Sequence, residues 1–287
     1  MAEPQAATSN AAQIEFWNSA ASRAWAHQYD RMDRAVAALT RELLDLATPH
    51  PRESVLDIGC GAGTTVLALA AQVGSSGYIL GADISDQSAA RARERIATAG
   101  LGQAEVICAD VATHAFAGGS FDLAFSRLGV MFFEDPTAAF ANVRRAMKPE
   151  GRVALAVFRT PRENPWPNAP LEAVRHLLPP MTTPSPDEPG MFSWADPARV
   201  RRILERAGFR ETSLTPVDVV MELAGSGGAA EAAEFAMLFG PLTRLLPVLP
   251  PPQHGAVRAA LERFFESYAT QQRVALPAAF WVVQARA

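Results

Sequence analysis

The stretch Val55-Leu56-Asp57-Ile58-Gly59-Cys60-Gly61-Ala62-Gly63-Thr64 decides the fold of this chain, together with an acid, Asp83, twenty residues beyond its last glycine. A short apolar run leads into three glycines at alternate positions, and a helix-like run from Thr65 to Gln72 follows. A second apolar run, Tyr78-Ile79-Leu80-Gly81-Ala82, then ends on Asp83. This is the layout of a nucleoside-binding α/β unit. Glycines let the backbone approach the ligand, and a carboxylate one strand later takes the ribose hydroxyls. The expected ligand is therefore built on adenosine.

Glycine spacing separates the ligand classes. A dinucleotide fingerprint places its third glycine where helix meets strand, bringing a pyrophosphate to the helix N-terminus. Here Gly59 and Gly61 supply the first two, that third position is Thr64, and the extra glycine is Gly63. Asp57, two residues before Gly59, would gain nothing beside a diphosphate but suits a ligand that carries an ammonium group. S-adenosylmethionine has an ammonium, a sulfonium and no phosphate.

The segment resembles motif I of the class I S-adenosylmethionine-dependent methyltransferases, of the form hydrophobic-Leu-Asp-hydrophobic-Gly-x-Gly-x-Gly. Gly81-Ala82-Asp83-Ile84-Ser85 is similar to the second motif of that family, and Val106-Ile107-Cys108-Ala109-Asp110-Val111 to its third strand with an adenine-facing acid. Phe121-Asp122-Leu123-Ala124-Phe125-Ser126 resembles the fourth strand, and Met147-Lys148-Pro149-Glu150-Gly151-Arg152 the turn into the fifth. The small-molecule branch, which includes ubiquinone and menaquinone biosynthesis methyltransferases, is the nearest in pattern. The resemblance implies a Rossmann-like, doubly wound α/β sheet of seven strands, its last strand inserted antiparallel between the fifth and sixth. It also implies S-adenosylmethionine as cofactor. Gly59, Gly61 and Gly63 would wrap the methionine portion, with Thr64 beside them and Asp57 near the ammonium. Asp83 and Ile84 would take the ribose, Asp110 and Val111 the adenine. Ser126, at the end of the fourth strand, would face the region where acceptor meets cofactor, and Trp25 or Trp17 would shield the sulfonium by cation–π contact.

Composition sets outer bounds. The chain has 287 residues, 49% of them hydrophobic and 20% charged, with a net charge of −4. A pI near 5.8 gives no electrostatic footprint for nucleic acid. The arginines at 91, 93 and 95 and at 199, 201 and 202 read as solvated helix faces. Two cysteines, Cys60 and Cys108, cannot build a disulfide framework or a metal cage and read as small buried fillers, so no metal site is expected. The start of the chain lacks the basic and apolar regions of a signal peptide, and no apolar run approaches a membrane span. A cytoplasmic location follows as an expectation, with subunit number, self-association included, left open.

Residues 1–12 read as a loose tail. Residues 13–50 read as two helices, with Trp17, Ala21, Trp25 and Gln28 on one face of the first, which the family uses as a lid. Residues 51–159 alternate strand and helix and form the cofactor-binding core. Residues 160–287 complete the sheet and carry two insertions, a proline-rich one at 160–190 and an apolar one at 225–276, expected to build an acceptor pocket.

Methyl transfer asks little of side chains beyond alignment and exclusion of water. An acidic phenol or enol needs no base, whereas a neutral hydroxyl does. The catalytic candidates are His27, on the lid, as base and Arg127, beside the apolar run Leu128–Phe133, as an anchor for an anionic acceptor, unless Arg127 pairs with a local acid such as Glu134. No Asn/Asp-Pro-Pro-aromatic tetrapeptide follows the fourth strand and no Pro-Cys pair exists, which excludes the amino-directed and cytosine-directed nucleic-acid enzymes. The expected activity is methylation of a small hydrophobic or aromatic metabolite. A cofactor-binding module without turnover and an NAD-dependent oxidoreductase are the alternatives.

Overall fold

The computed structural model describes residues 10–181, 185 and 187–287. The strands are β1 (Ser54–Ile58), β2 (Tyr78–Asp83), β3 (Ala104–Cys108), β4 (Phe121–Arg127), β5 (Met147–Phe158), β6 (Arg210–Ala224), β7 (Ala269–Thr270) and β8 (Arg273–Arg286). They form one sheet in the order β3-β2-β1-β4-β5-β8-β6, with β7 attached only to β8. β1 to β5 run parallel, and β8 is antiparallel to both β5 and β6. The expected seven-stranded order with an inserted antiparallel strand is what the chain adopts; the added strand is the two-residue β7.

The near-continuous apolar runs of β1, β4 and the second half of β5 are explained by cover on both faces. The helices are α1 (Ala11–Trp17), α2 (Arg23–His27), α3 (Tyr29–Ala35), α4 (Ala37–Ala47), α5 (Thr64–Val73), α6 (Asp86–Ala99), α7 (Pro136–Ala146), α8 (Pro165–Ala173), α9 (Pro197–Arg206), α10 (Gly228–Phe239), α11 (Leu242–Leu245) and α12 (Pro251–Glu266). Several begin where side-chain chemistry dictates. The Asp135 carboxylate accepts from Ala138 N at 2.9 Å and Asp196 accepts from Ala198 N at 2.9 Å, each followed by a proline at the first helical position.

The structure departs from expectation in four places. The first helix starts at Ala11 rather than Gln13, and the rest of the supposed tail, residues 1–9, lies outside the described residues, as do Pro184 and Pro186 of the proline-rich insertion. That insertion opens with α8, because Pro165 and Pro167 occupy a first turn whose N–H groups have no helical acceptor anyway. Within the 225–276 insertion, expected to line a pocket, α12 stops at Glu266 and the chain returns to strand. Gln271 and Gln272, with φ of 50° and 64°, then make the tight turn that pairs β7 with β8. Cys60 is buried as expected, but Cys108 ends the edge strand β3 and is exposed. Among the described residues no helix is long and apolar enough to cross a membrane.

Candidate functional site

Parallel strands deliver their carboxyl ends to one edge of the sheet, and ligands bind there. At that edge the loops after β1 and β4 touch backbone to backbone. Gly59 adopts φ 67°, and a Cβ on it would come 2.9 Å from Gly129 Cα. Gly63, at φ 83°, leaves only enough room for Ala92 of α6. The Ser126 hydroxyl binds the crossing together, donating to the Ile58 carbonyl at 2.7 Å and accepting from Gly129 N at 3.3 Å. Ser126 is fully buried and stands behind the loop, outside the cleft wall.

Asp83 closes the glycine loop on itself. One carboxylate oxygen accepts from Gly61 N and the other from Ser85 N, both at 2.8 Å. Burial raises its pKa, and these N–H groups oppose the rise. Asp57 is wholly buried beneath the loop. One of its oxygens accepts from the Thr65 hydroxyl at 2.5 Å, while the other has no hydrogen-bond partner. Burial pushes this carboxyl up to about 7, against the pull of the Thr65 hydroxyl and the Arg127 guanidinium. Asp57 thus supports the loop from behind and forms no part of the cleft wall.

The Asp57 environment carries a pH prediction. An unfolded carboxylate titrates near about 4, whereas Asp57 in the folded chain titrates at about 7. The folded state therefore holds the proton more tightly, and this group's stabilising contribution is lost as pH rises from about 4 to about 7. Asp57→Asn should flatten that part of the profile, gaining on wild type as pH rises. Thermal melts of both proteins from acidic to mildly alkaline pH check this, and parallel profiles would contradict it.

The cleft between this edge and the N-terminal helices encloses about 1350 Å³, solvent mouth included. One end is walled by Gly59, Gly61, Asp83, Ile84 and Val111. The other is apolar, with Met131, Phe158, Trp166 and Met191, and Trp17, Trp25 and Phe132 also line the cleft. Between them Asp33 of α3 accepts from Arg127 at 2.6 Å and from the Thr64 hydroxyl. Arg127 also donates to Thr40 Oγ1 at 2.9 Å. Arg95 donates to Thr64 Oγ1 at 2.8 Å and to the Ala62 carbonyl at 2.7 Å, and it stacks on the Tyr29 ring at 4.2 Å.

The N-terminal helices lie against the glycine-loop end of the cleft. Asn10 donates from its amide to Asp110 Oδ1 at 2.8 Å and accepts from Glu134 N at 2.9 Å. Asn18 spans Ile84 and Asp86, donating to the Ile84 carbonyl at 2.9 Å and accepting from Asp86 N at 2.9 Å. Ion pairs Arg31–Glu234 at 3.0 Å and Arg34–Glu231 at 2.9 Å join α3 to α10.

Of the residues expected at the site, Trp25, Gly59, Gly61, Thr64, Asp83, Ile84, Val111 and Arg127 line the cleft. Asp57, Gly63, Asp110 and Ser126 stand just behind its wall. His27 is exposed and outside it, and none of the five histidines lines it, because α2 turns its apolar face inward and leaves His27 in solvent. Arg127 pairs with Asp33, which is distant in sequence, rather than with Glu134. The apolar stripe of α10 and α11 forms no wall; Phe235 and Phe239 back Trp166 and Trp25 from a second layer, with ring centroids 6.0 Å and 5.2 Å apart. Asp33, Asn10 and Arg95 gave no signal in the sequence: Asp33 and Arg95 sit in surface-like helical patterns, and Asn10 falls in the stretch read as a loose tail. Arg95 had read as a solvated face.

Comparisons with known proteins agree with this geometry. Residues 55–151 match the family model described as a methyltransferase domain. Nocamycin O-methyltransferase of Saccharothrix syringae is 36% identical over 117 residues, 41% of this chain and 42% of that protein. Aklanonic acid methyltransferase DauC of Streptomyces sp. (strain C5) is 34% identical over 134 residues, 46% of this chain and 61% of that protein. The chain thus spans less than two thirds of these relatives. The YcgJ protein of Bacillus subtilis shares the fold with a TM-score of 0.58 at 15% identity, covering 87% of this chain and 98% of that one. Over residues 55–151 this chain thus matches a methyltransferase domain.

Proposed function

We propose that the protein transfers a methyl group from S-adenosylmethionine to a small hydrophobic or aromatic metabolite. One observation carries this reading: a single cleft at the strand tips joins a glycine loop with its ribose-height acid, Asp83, to a chamber of aromatic and methionine side chains. The residues present fit the cofactor. Asp33 and Arg127, in the cleft between its two ends, offer an acid and a guanidinium to the ammonium and carboxylate of an amino-acid tail. Asp83 offers carboxylate oxygens to ribose hydroxyls. Asp110 already accepts from an amide NH₂, the donor type that an adenine amino group presents. Thr64, where a dinucleotide site would have glycine, and the buried acid Asp57 weigh against a diphosphate.

Bound in this way, S-adenosylmethionine supplies a methyl group already activated on a sulfonium. The chain's own part is to orient and to keep water out. Trp17 and Trp25, whose rings meet edge-on at 5.5 Å, and Phe132, 5.3 Å from Trp17, cover the junction of the two compartments. Excluding solvent there strengthens attraction between a cation and an electron-rich acceptor. The same reading makes the acceptor a free metabolite rather than nucleic acid, met in the cytoplasm, and it keeps the N-terminal helices as the roof that retains the cofactor.

Calorimetric titration tests the proposal. S-adenosylmethionine and S-adenosylhomocysteine should bind in a one-to-one ratio, and NADH should not. Radiolabel from the methyl donor should then pass to an aromatic hydroxy compound. Binding of NADH in place of the adenosyl thioethers would overturn the reading. Binding without transfer to any acceptor would favour the non-catalytic module.

A further inference from the structure

Arg95 has the pattern of a solvated helix face, yet its guanidinium is turned onto the glycine loop. It donates to the Ala62 carbonyl at 2.7 Å and to Thr64 Oγ1 at 2.8 Å, the residues on either side of Gly63. One turn earlier on the same face of α6, Ala92 closes on Gly63 itself, where an added Cβ would lie 2.9 Å from the Ala92 methyl. The helix thus presses the loop at one point and holds it at two. The partners of this cation are a carbonyl, a hydroxyl and an aromatic ring. An ordinary surface ion pair does not account for it.

The arrangement reaches Asp33 by two routes. A threonine hydroxyl has one proton and two lone pairs. Arg95 fills an acceptor position on Thr64 Oγ1, so the hydroxyl proton turns to Asp33, to which it donates. The second route runs through Tyr29, whose ring carries the Arg95 guanidinium at 4.2 Å and that of Arg91 at 5.5 Å. Tyr29 and Asp33 are four residues apart on α3, as Arg91 and Arg95 are on α6, so each pair shares one helix face. Seating Tyr29 on Arg95 sets the register in which Asp33 meets Thr64. Tyr29, Asp33 and Thr64 all line the cleft, whereas Arg95 stands outside its wall. The other acid of the cleft is held by different means: Asp83 takes the Gly61 and Ser85 N–H groups, and neither hydrogen bond of Arg95 reaches it.

We propose that Arg95 is a positioning residue for the amino-acid tail of the methyl donor, acting through Thr64 and Tyr29 to fix the Asp33 carboxylate that receives the tail ammonium. The proposal rests on the methyltransferase reading above and adds to it a residue that does not touch the ligand. With the guanidinium gone, Thr64 is no longer obliged to donate to Asp33, and α3 loses its seat on α6. Asp33 then keeps only Arg127. A tail loses its partner, whereas an adenosyl group keeps Asp83.

Two ligands separate this role from general support of the fold: S-adenosylhomocysteine, which has the tail, and 5′-methylthioadenosine, an adenosyl thioether without it. Both are titrated calorimetrically into the full chain and its variants. Arg95→Met keeps an apolar stem but no charge or donor, and it should bind S-adenosylhomocysteine about tenfold more weakly than wild type. Its affinity for 5′-methylthioadenosine should stay within about twofold. Thr64→Val and Tyr29→Leu each cut one route with Arg95 in place, and they carry the test if melts show Arg95→Met to be unfolded. Each should weaken S-adenosylhomocysteine more than 5′-methylthioadenosine. Combining Arg95→Met with Thr64→Val should lose less than the product of the two single losses, because they break the same link. Unchanged S-adenosylhomocysteine affinity in Arg95→Met, equal losses for the two ligands, or a full product of losses in the double variant would each overturn the proposal. Failure of the wild-type chain to bind S-adenosylhomocysteine is a different result and strikes the methyltransferase reading instead.

Discussion

Alanine at Gly59 is expected to weaken S-adenosylmethionine binding by more than about a hundredfold, the largest loss from any single methyl group added to this chain. Two costs coincide there. The residue sits at φ 67°, where an L side chain costs about 1–2 kcal/mol. The added Cβ would also lie 2.9 Å from Gly129 Cα, a backbone atom with no rotamer through which to escape. The contact is tight from the other side too: a Cβ on Gly129 would meet the Ile58 carbonyl at 2.7 Å and Gly59 Cα at 3.0 Å, so the crossing has room for a side chain on neither loop. Forced overpacking of this kind costs about 1–3 kcal/mol. The two loops must part, and the cradle opens with them. Gly61→Ala makes the contrast: its φ is 54°, but a Cβ there meets nothing within 4 Å. Melting temperature should therefore drop further in Gly59→Ala than in Gly61→Ala, and calorimetry should show binding lost in the former. Wild-type affinity in Gly59→Ala would refute the crossing of loops as the basis of the cradle.

Removing the Asp83 carboxylate should weaken the same ligand by about tenfold to a hundredfold. Charge-assisted bonds to ribose hydroxyls are worth about 1.5–3 kcal/mol each before desolvation. Asp83→Ala also strips the Gly61 and Ser85 N–H groups of their acceptor, so the glycine loop loses an internal brace as well as a ligand contact. Asp83→Asn keeps an acceptor oxygen but puts an amide where the second N–H points, and it should fall between alanine and wild type. Adenosine separates the two effects, since it has the ribose but no methionine tail. If the ribose contact dominates, adenosine should lose the same factor as S-adenosylmethionine. Unchanged affinity for both would remove Asp83 from the site.

The parts of the site that were legible in the sequence share one property: each is a local pattern with a backbone reason. Gly59 and Gly63 hold positive φ next to close neighbours, and Asp83 ends a strand at a fixed distance from them. Arg127 was legible as a cleft residue because it ends β4. Its partner was not. Asp33 lies on a helix whose pattern shows only an ordinary polar position, and the pair forms because α3 is folded across the strand tips. His27 failed as a candidate for the matching reason: a histidine on a roofing helix need not face what the helix roofs. The insertion at 225–276 looked like an acceptor wall because it is apolar, yet apolar stripes also serve as backing, and Phe235 and Phe239 do so here.

By itself the sequence determined the sheet order and the glycine loop with its strand-ending acid. Strand–helix alternation, alternate glycines and a strand-ending acid are periodic or adjacent features, and short-range backbone geometry dictates them. Only the tertiary structure decided which distant side chains meet around the cleft: the Asp33–Arg127 pair between its two ends and the Asn10–Asp110 contact beside the glycine loop. These join residues 94 and 100 positions apart, and no spacing along the chain encodes either.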